Sequence, residues 1–151
     1  MKISELLNPQ AVVADLKAGG KEEALAELTD ALLAVAPALR RDEVLQVLQE
    51  RERLGSTGIG DGVAIPHGKL KGMPELMLAF GRSKGGVDFE SMDGQPAHLF
   101  FLLLAPEESV GVHLKTLARI SKLLKDGEVR RQMLEAADAA RIYELICERE
   151  E

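Results

Sequence analysis

Hydrophobic residues along this chain recur at two spacings, one typical of helices and one of buried strands. After Lys21 the apolar positions fall three and four residues apart, at Leu25, Leu28, Ala31, Leu32 and Val35. Successive helical residues turn by about 100°, so this spacing collects the side chains on one face. The pattern predicts an amphipathic helix that begins near Lys21 and is stopped by Pro37.

Four further segments have helical character. One opens near Asp42, and another spans Val110 to Lys125, preceded by Ser109 as a candidate N-cap. Two shorter helices are expected at 128–136 and 140–149, after a turn at Asp126-Gly127. The second half of the chain is therefore predicted to end in three helices.

Short apolar runs between these helices predict the strands. They are Val12 to Leu16, Val63 to Ile65, Met77 to Phe80, the short Val87 to Phe89, and the strongest, Leu99 to Leu104. The last run has no polar alternation, which indicates burial on both faces of a sheet. Helices above and below a small mixed sheet would provide that burial. The sequence thus predicts an α/β fold, a single three-layer α/β/α domain over residues 1–151.

The glycine-rich stretch around residue 67 is arranged to present one imidazole. Val63 to Ile65 is followed at once by Pro66, which has no N–H and a fixed φ, so the strand should stop and expose His67. Gly68 is expected to remove a side chain that would crowd the ring, and the polar residues beyond it to form a connection. From these residues alone, His67 is either a functional group or a surface histidine of a loop.

The second predicted helix carries an arginine on its apolar side. The apolar residues on that side are Val44, Val47 or Leu48, and Leu54. Arg51 shares the stripe, where a guanidinium is unfavourable unless an anion or acceptor meets it, whereas Arg53 should face water. Arg51 is therefore a functional group, a snorkelling side chain, or a partner of Glu50 or Glu52.

Two more histidines differ in their surroundings. His113 lies on the apolar stripe of the helix Val110 to Lys125, together with Leu117, Ile120 and Leu124. It should point inward near the helix start, either as a satisfied core histidine or as part of a site. His98 follows Pro96-Ala97 at a strand start with no motif around it, and is predicted to be structural.

Charge and composition exclude several classes of function. The formal charge of −6 and pI of about 5.2 argue against a nucleic-acid partner, which would require a concentrated basic face. The single Cys147 allows no intramolecular disulfide and is predicted to be buried in the last helix. The N-terminus lacks the regions of a signal peptide, and the apolar runs are far shorter than the roughly 20 residues of a membrane span. A cytoplasmic protein that is not membrane-embedded is expected.

Neither a cofactor nor a metal is predicted. Gly58 and Gly60 would need a third glycine at residue 63 to form a dinucleotide fingerprint, and that residue is valine. The three histidines are separated by 31 and 15 residues, which is not a zinc-ligand spacing.

The segment Gly55 to Leu70, GSTGIGDGVAIPHGKL, carries a family resemblance. It resembles the phosphohistidine motif of the IIA component of the bacterial phosphotransferase system, in its mannitol/fructose (type 2) class. Within that class it is similar to the free-standing nitrogen-regulatory IIA proteins. The resemblance extends over nearly all of the chain, including VHLKTLARI from Val112 to Ile120. It implies the same three-layer fold.

The resemblance also implies roles for three residues. His67 matches the phosphoryl acceptor, and Arg51, sixteen residues before it, matches an active-site arginine that stabilises phosphoryl charge. His113 matches a second active-site histidine, oriented toward the phosphoryl group without carrying it. Such a protein is a phosphohistidine carrier more than a turnover enzyme.

Two functions of different classes follow from the resemblance. In the first, His67 is phosphorylated by a histidine phosphocarrier protein, and its phosphorylation state decides which regulated protein partner is bound. In the second, the chain is a soluble IIA component that relays the phosphoryl group to a fructose/mannitol-type sugar-transporter domain. The Pro-His-Gly-Lys-Leu form of the motif and the free-standing chain favour the regulatory function.

Overall fold

One mixed β-sheet organises the molecule. The structure, a computed structural model, describes residues 2–150, and only the backbone of Val110. Its strands within those residues are β1 (Leu7–Val13), β2 (Gly58–Gly60), β3 (Val63–Ala64), β4 (His67–Leu70), β5 (Met77–Val87) and β6 (Ala97–Pro106). The strand order is β1-β5-β6-β3-β2, and β4 pairs with β6 beyond β3. Strand β5 is antiparallel to β6, whereas β3 and β4 run parallel to it.

Helices account for most of the remaining chain. They are α1 (Ile3–Leu6), α2 (Lys21–Val35), α3 (Arg41–Arg53), α4 (Val110–Lys125), α5 (Gly127–Glu135) and α6 (Ala139–Arg149). Helix α2 begins at the predicted Lys21, and α4 has both of its predicted ends. Among residues 2–150, each helix is too short or too polar to cross a lipid bilayer.

Two adjacent residues of β5 show that helices cover both faces of the sheet. A Cβ on Gly81 would lie 2.8 Å from side-chain atoms of Leu16 and of Leu28, which belongs to α2. The next side chain, Arg82, points to the other face and donates to the Met133 carbonyl of α5 at 3.0 Å. Successive strand residues face opposite sides, so α2 and α5 lie in different layers. The predicted three-layer α/β/α fold is confirmed.

The centre of the core is β6. All six residues from Leu99 to Leu104 are buried, as the absence of polar alternation predicted. Phe101 packs edge-on against Phe80 of β5, with ring centroids 4.9 Å apart. Burying a leucine or phenylalanine side chain contributes about 1.5–3 kcal/mol, so this strand is a large part of the stabilisation.

Three strand predictions need correction. Strand β1 begins at Leu7 and not at Val12, and it includes Pro9 because an edge strand has a side on which no N–H is required. Val87 is the end of β5 and not a separate strand, since the register irregularity after Arg82 lets β5 continue. The residues after His67, predicted to be a connection, form β4.

Strand β4 exists because β6 supplies its partners. His67 pairs with Leu103 and Lys69 with Ala105 in parallel register. The carbonyl of Pro66 also accepts from the backbone N–H of Leu103 at 3.0 Å. Thus β3 and β4 are two pieces of one extended segment along β6, and Pro66 interrupts this segment without ending it.

Two predictions about single residues need correction. Ser109 lies at the predicted N-cap position of α4, but its side chain makes no capping hydrogen bond, because its hydroxyl donates to the carbonyl of Pro106 at 3.0 Å. Cys147 is exposed. Helix α6 buries Ile142, Leu145 and Ile146, and the residue after Ile146 is turned by about 100° toward solvent.

Candidate functional site

His67 opens β4 at the point where the extended segment resumes after Pro66. Its ring is half-buried, and Nδ1 lies 2.7 Å from the carbonyl oxygen of Ile65. A carbonyl can only accept, so Nδ1 carries the proton and Nε2 carries the lone pair. The backbone of the interrupted strand therefore fixes the tautomer and directs Nε2 away from Ile65.

Arg51 approaches this lone pair from the last turn of α3. Its Nε donates to Nε2 of His67 at 3.3 Å, and its Nη1 donates to the carbonyl of Gly55 at 2.9 Å. Glu50 accepts from Gln46 instead. Arg51 is therefore neither a snorkelling side chain nor a partner of Glu50 or Glu52. It is directed at the imidazole of His67.

The apolar stripe of α3 ends before the sequence predicted. Val44 and Leu48 are buried, and Arg53 faces water as expected. Leu54, predicted to point inward, is 84% exposed. Leu54 is the C-cap residue that follows the last helical residue, Arg53, and its side chain extends into solvent. This leucine lies on the rim of the site.

His113 brings a second imidazole from α4. It is 6% exposed, and the centroids of its ring and the His67 ring are 5.4 Å apart at an interplanar angle of 60°. Its Nδ1 has no hydrogen-bond partner among residues 2–150. A satisfied core histidine would use this nitrogen, so the alternative left open by the sequence does not describe His113.

The three predicted residues share one open depression. It is lined by Val47, Glu50, Arg51, Leu54, His67, Gly68, Lys69 and His113. A Cβ on Gly68 would lie 2.9 Å from Cγ2 of Val47, so this glycine lets α3 approach β4. Gly68 was predicted to relieve crowding of the imidazole. The structure shows instead that its missing side chain makes room for Val47. Close packing of α3 on β4 brings Arg51 within reach of His67.

Both imidazoles are held in the neutral form. Burial lowers the pKa of His67; the nearby Arg51 charge acts in the same direction, while the Ile65 carbonyl and Glu52 oppose the shift. Burial also lowers the pKa of His113, with added repulsion from His67 and Lys69. A neutral imidazole at pH 7 is a nucleophile, so Nε2 of His67 is available for bond formation.

A buried ion pair behind the site was missed by the sequence reasoning. Glu52 is 9% exposed, and its carboxylate lies 3.0 Å from the Lys21 ammonium, which is also 5.1 Å from the centroid of the Phe89 ring. The same carboxylate accepts from the backbone N–H and the hydroxyl of Thr57. A signal was present, because Glu52 follows Val44 and Leu48 at intervals of four residues.

His98 lies outside the depression. It is half-buried, and its Nδ1 is 2.8 Å from the carbonyl of Ser83 on the neighbouring strand. Gly62 and Gly86 lie against its ring, and an added Cβ on Gly86 would come within 3.0 Å of the His98 ring. These contacts support the structural role predicted for His98.

The fold and the sequence together assign the protein to a class. From residue 5 to residue 149 the chain matches the model of one family, described as the phosphoenolpyruvate-dependent sugar phosphotransferase system, EIIA 2. The protein belongs to this family, as the resemblance of the motif predicted.

Relatives within the family have two kinds of name. A nitrogen regulatory protein of Bradyrhizobium diazoefficiens is 44% identical over 147 residues, which cover 97% of this chain and 95% of that protein. The fructose-specific EIIABC component of Bacillus subtilis is 41% identical over 146 residues, covering 97% of this chain but 23% of that much longer protein.

A solved structure supports the same assignment. The nitrogen regulatory protein IIA-Ntr of Neisseria meningitidis superposes with a TM-score of 0.89 at 33% identity, over 95% of this chain and 98% of that one. IIA mannitol of Escherichia coli has a TM-score of 0.77 at 22% identity, over 92% of this chain and 97% of that one, and shows the shared fold.

Proposed function

We propose that this protein accepts a phosphoryl group on Nε2 of His67 from a histidine phosphocarrier protein. The observation that carries the proposal is the unequal use of the two ring nitrogens: Nδ1 is bound to the Ile65 carbonyl, while Nε2 faces the guanidinium of Arg51. Membership of the sugar phosphotransferase EIIA 2 family supports it. The proposal includes one IIA domain over residues 1–151 and a cytoplasmic location.

The transfer step balances without a cofactor. The donor's P–N bond breaks with its electron pair returning to the donor imidazole, which takes a proton from solvent. The lone pair on Nε2 of His67 forms the new P–N bond. The proton stays on Nδ1, hydrogen-bonded to the Ile65 carbonyl at 2.7 Å, while the ring gains positive charge, and the later release of this proton to solvent restores the proton balance.

Arg51 and His113 would assist without carrying the group. Phosphoryl transfer requires mainly in-line positioning and stabilisation of charge on the phosphoryl oxygens. Arg51 already donates to Nε2, so a small movement would direct its N–H groups to a phosphoryl group bound there. His113, with its ring centroid 5.4 Å from that of His67, has an unused nitrogen nearby.

The surface around the site suits a protein donor. The depression is open, and Leu54 on its rim is exposed, as are Val112 and Leu114 on either side of His113 in the chain. Exposed apolar side chains around a polar centre are typical of docking surfaces for proteins. A phosphocarrier could therefore bring its own histidine up to Nε2.

Labelling by a phosphorylated carrier tests the assignment. His67→Ala should abolish acid-labile labelling. His113→Ala should remain able to accept the group, but more slowly or with a less stable product, because one donor to the group is lost at a cost of about 1.5–3 kcal/mol. Labelling of His67→Ala at the level of the unmodified protein would refute the assignment, and His98→Ala is the matched control outside the depression.

For the output of the site, we favour a phosphorylation-dependent regulator of the nitrogen type. The relatives named nitrogen regulatory proteins and the IIA-Ntr structure support this choice. The second candidate is relay to a fructose/mannitol-type transporter domain. It is supported by the 41% identity to a fructose-specific EIIABC component and by a related mannitol IIA solved in complex with phosphorylated IIB.

A further inference from the structure

We propose that Glu52 is a positioning residue that fixes the resting place of Arg51 beside His67, acting through the turn at Gly55. The inference rests on the proposed function and adds a residue to it. Glu52 does not line the depression and is nearly buried, so it acts through its neighbours.

The carboxylate of Glu52 is fully engaged. One oxygen lies 3.0 Å from Nζ of Lys21 and accepts from the backbone N–H of Thr57 at 3.2 Å. The other oxygen accepts from the hydroxyl of Thr57. A buried carboxylate with an ammonium and two further donors is held in place, because losing the ammonium would leave a buried charge unpaired and losing a Thr57 donor would leave a carboxylate oxygen short of a hydrogen bond. Thr57 is thereby held against the end of α3.

The backbone of Glu52 holds the other end of the same turn. Its carbonyl accepts from the N–H of Gly55 at 3.1 Å, and Gly55 has a φ of +147°, which favours glycine. Glu52 therefore holds the turn from Leu54 to Thr57 at two points. Its carbonyl binds Gly55 near the start of the turn, and its carboxylate binds Thr57 at the end. Within this turn the Gly55 carbonyl accepts from Nη1 of Arg51 at 2.9 Å.

This arrangement makes Gly55 the anchor of the guanidinium. An arginine side chain has many rotamers, and ordering it for each transfer would slow the reaction. With Nη1 held by Gly55, Nε stays 3.3 Å from Nε2 of His67. If the turn loses its attachment to Glu52, the anchor moves, and Arg51 is free to leave the site for solvent.

A double-mutant cycle separates positioning from general stability. Glu52→Ala should slow phosphoryl acceptance from a phosphorylated carrier by about tenfold, the effect of one charge-assisted hydrogen bond. In an Arg51→Ala background the same substitution should change the rate by less than about twofold, because the residue through which it acts is gone. Equal slowing in both backgrounds, or no slowing in either, would overturn the inference.

Conservative variants and a stability control sharpen the cycle. Glu52→Gln keeps an oxygen that can accept from Thr57, so it should retain most of the rate. If Glu52→Ala does not fold, Thr57→Val removes the hydroxyl contact with Glu52 and keeps the backbone one. Its smaller effect on the rate should likewise vanish in the Arg51→Ala background. Leu145→Ala, which empties a buried position of α6, controls for destabilisation alone and should leave the rate per folded molecule unchanged.

The two proposals fail in different ways. Labelling of His67→Ala, or an Arg51→Ala variant that accepts the group at the normal rate, would contradict the proposed site itself. If Arg51→Ala slows phosphoryl acceptance and Glu52→Ala slows it equally with or without Arg51, the proposed site stands. That result would contradict only the positioning role of Glu52.

Discussion

His67 and His113 show how individual side chains acquire reactivity from their immediate surroundings. Their rings lie 5.4 Å apart, and burial lowers the pKa of each. An unfolded histidine has a pKa of about 6.5, so the unfolded chain binds these two protons at a higher pH than the folded protein does. Unfolding is therefore coupled to proton uptake when the pH falls below about 6.5.

We expect the free energy of unfolding to decrease as the pH falls from about 7 through the lowered folded pKa values of these histidines. Urea denaturation at several pH values between 8 and 5 measures the slope. His67→Gln and His113→Gln should each flatten it, because glutamine does not titrate. His98→Gln is the control for a histidine outside the depression. If His67→Gln and His113→Gln both keep the slope of the unmodified protein, the prediction is contradicted.

At the scale of elements, the site depends on how closely α3 packs on β4. Val47 of α3 faces Gly68, and there is no room for a methyl group between them, since a Cβ would lie 2.9 Å from Cγ2 of Val47. Valine is stiff at χ1 and cannot easily turn away. Helix α3 also carries Arg51, so a shift of the helix would move the guanidinium relative to His67.

Gly68→Ala should therefore destabilise the protein by about 1–3 kcal/mol and slow phosphoryl acceptance. Thermal or urea denaturation and carrier-dependent labelling measure the two effects. Val47→Ala in the same chain should restore both in part, because it returns the missing space. Gly111→Ala is the matched control: nothing lies within 4 Å of its added Cβ, and it should be neutral or stabilising. Identical behaviour of the Gly68 and Gly111 variants would disprove the packing argument.

At the scale of the whole molecule, three layers converge on one edge. Arg51 comes from the α3 side of the sheet, His67 from the sheet itself and His113 from α4. Arg82 joins layers elsewhere, since this buried arginine donates to the carbonyls of Ala14 and Met133. The chain has a net charge of −6, so a phosphoryl group on His67 would add about −1.5 to −2 charges to an already acidic molecule.

Phosphorylation should therefore release partners that bind the unphosphorylated surface. An acidic partner would be repelled, and an apolar one would have to desolvate the new charge. Phosphorylated protein is incubated with membranes and sugar and, in parallel, with a soluble extract. Loss of the phosphoryl group is measured in the first sample and partner binding in the second. We expect a soluble partner that binds the unphosphorylated protein and is released on phosphorylation. His67→Ala should bind this partner with or without the phosphorylated carrier. Rapid sugar-dependent loss of the phosphoryl group without such a partner would favour the relay function instead.

The sequence by itself determined the main elements and the chemistry-bearing residues. Periodicity located α2, α3 and α4, and the continuous apolar run from Leu99 to Leu104 identified the buried central strand, because local spacing reports which side of an element is covered. The family motif singled out His67, and helical spacing together with the wider family resemblance singled out Arg51 and His113. The structure places the three residues together, while their roles remain predictions.

Only the tertiary structure decided the features that depend on partners distant in the chain. Strand β4 forms because β6 pairs with it, although Pro66 precedes it and Leu70 is its only large apolar residue. Gly68 faces Val47 and not the imidazole, and Glu52 is buried because Lys21, far away in sequence, meets it at 3.0 Å. The hydrogen bond from Arg51 to Nε2 of His67 depends on the packing of α3 on β4. Local patterns specify faces and spacings, whereas contacts between layers fix which atoms meet.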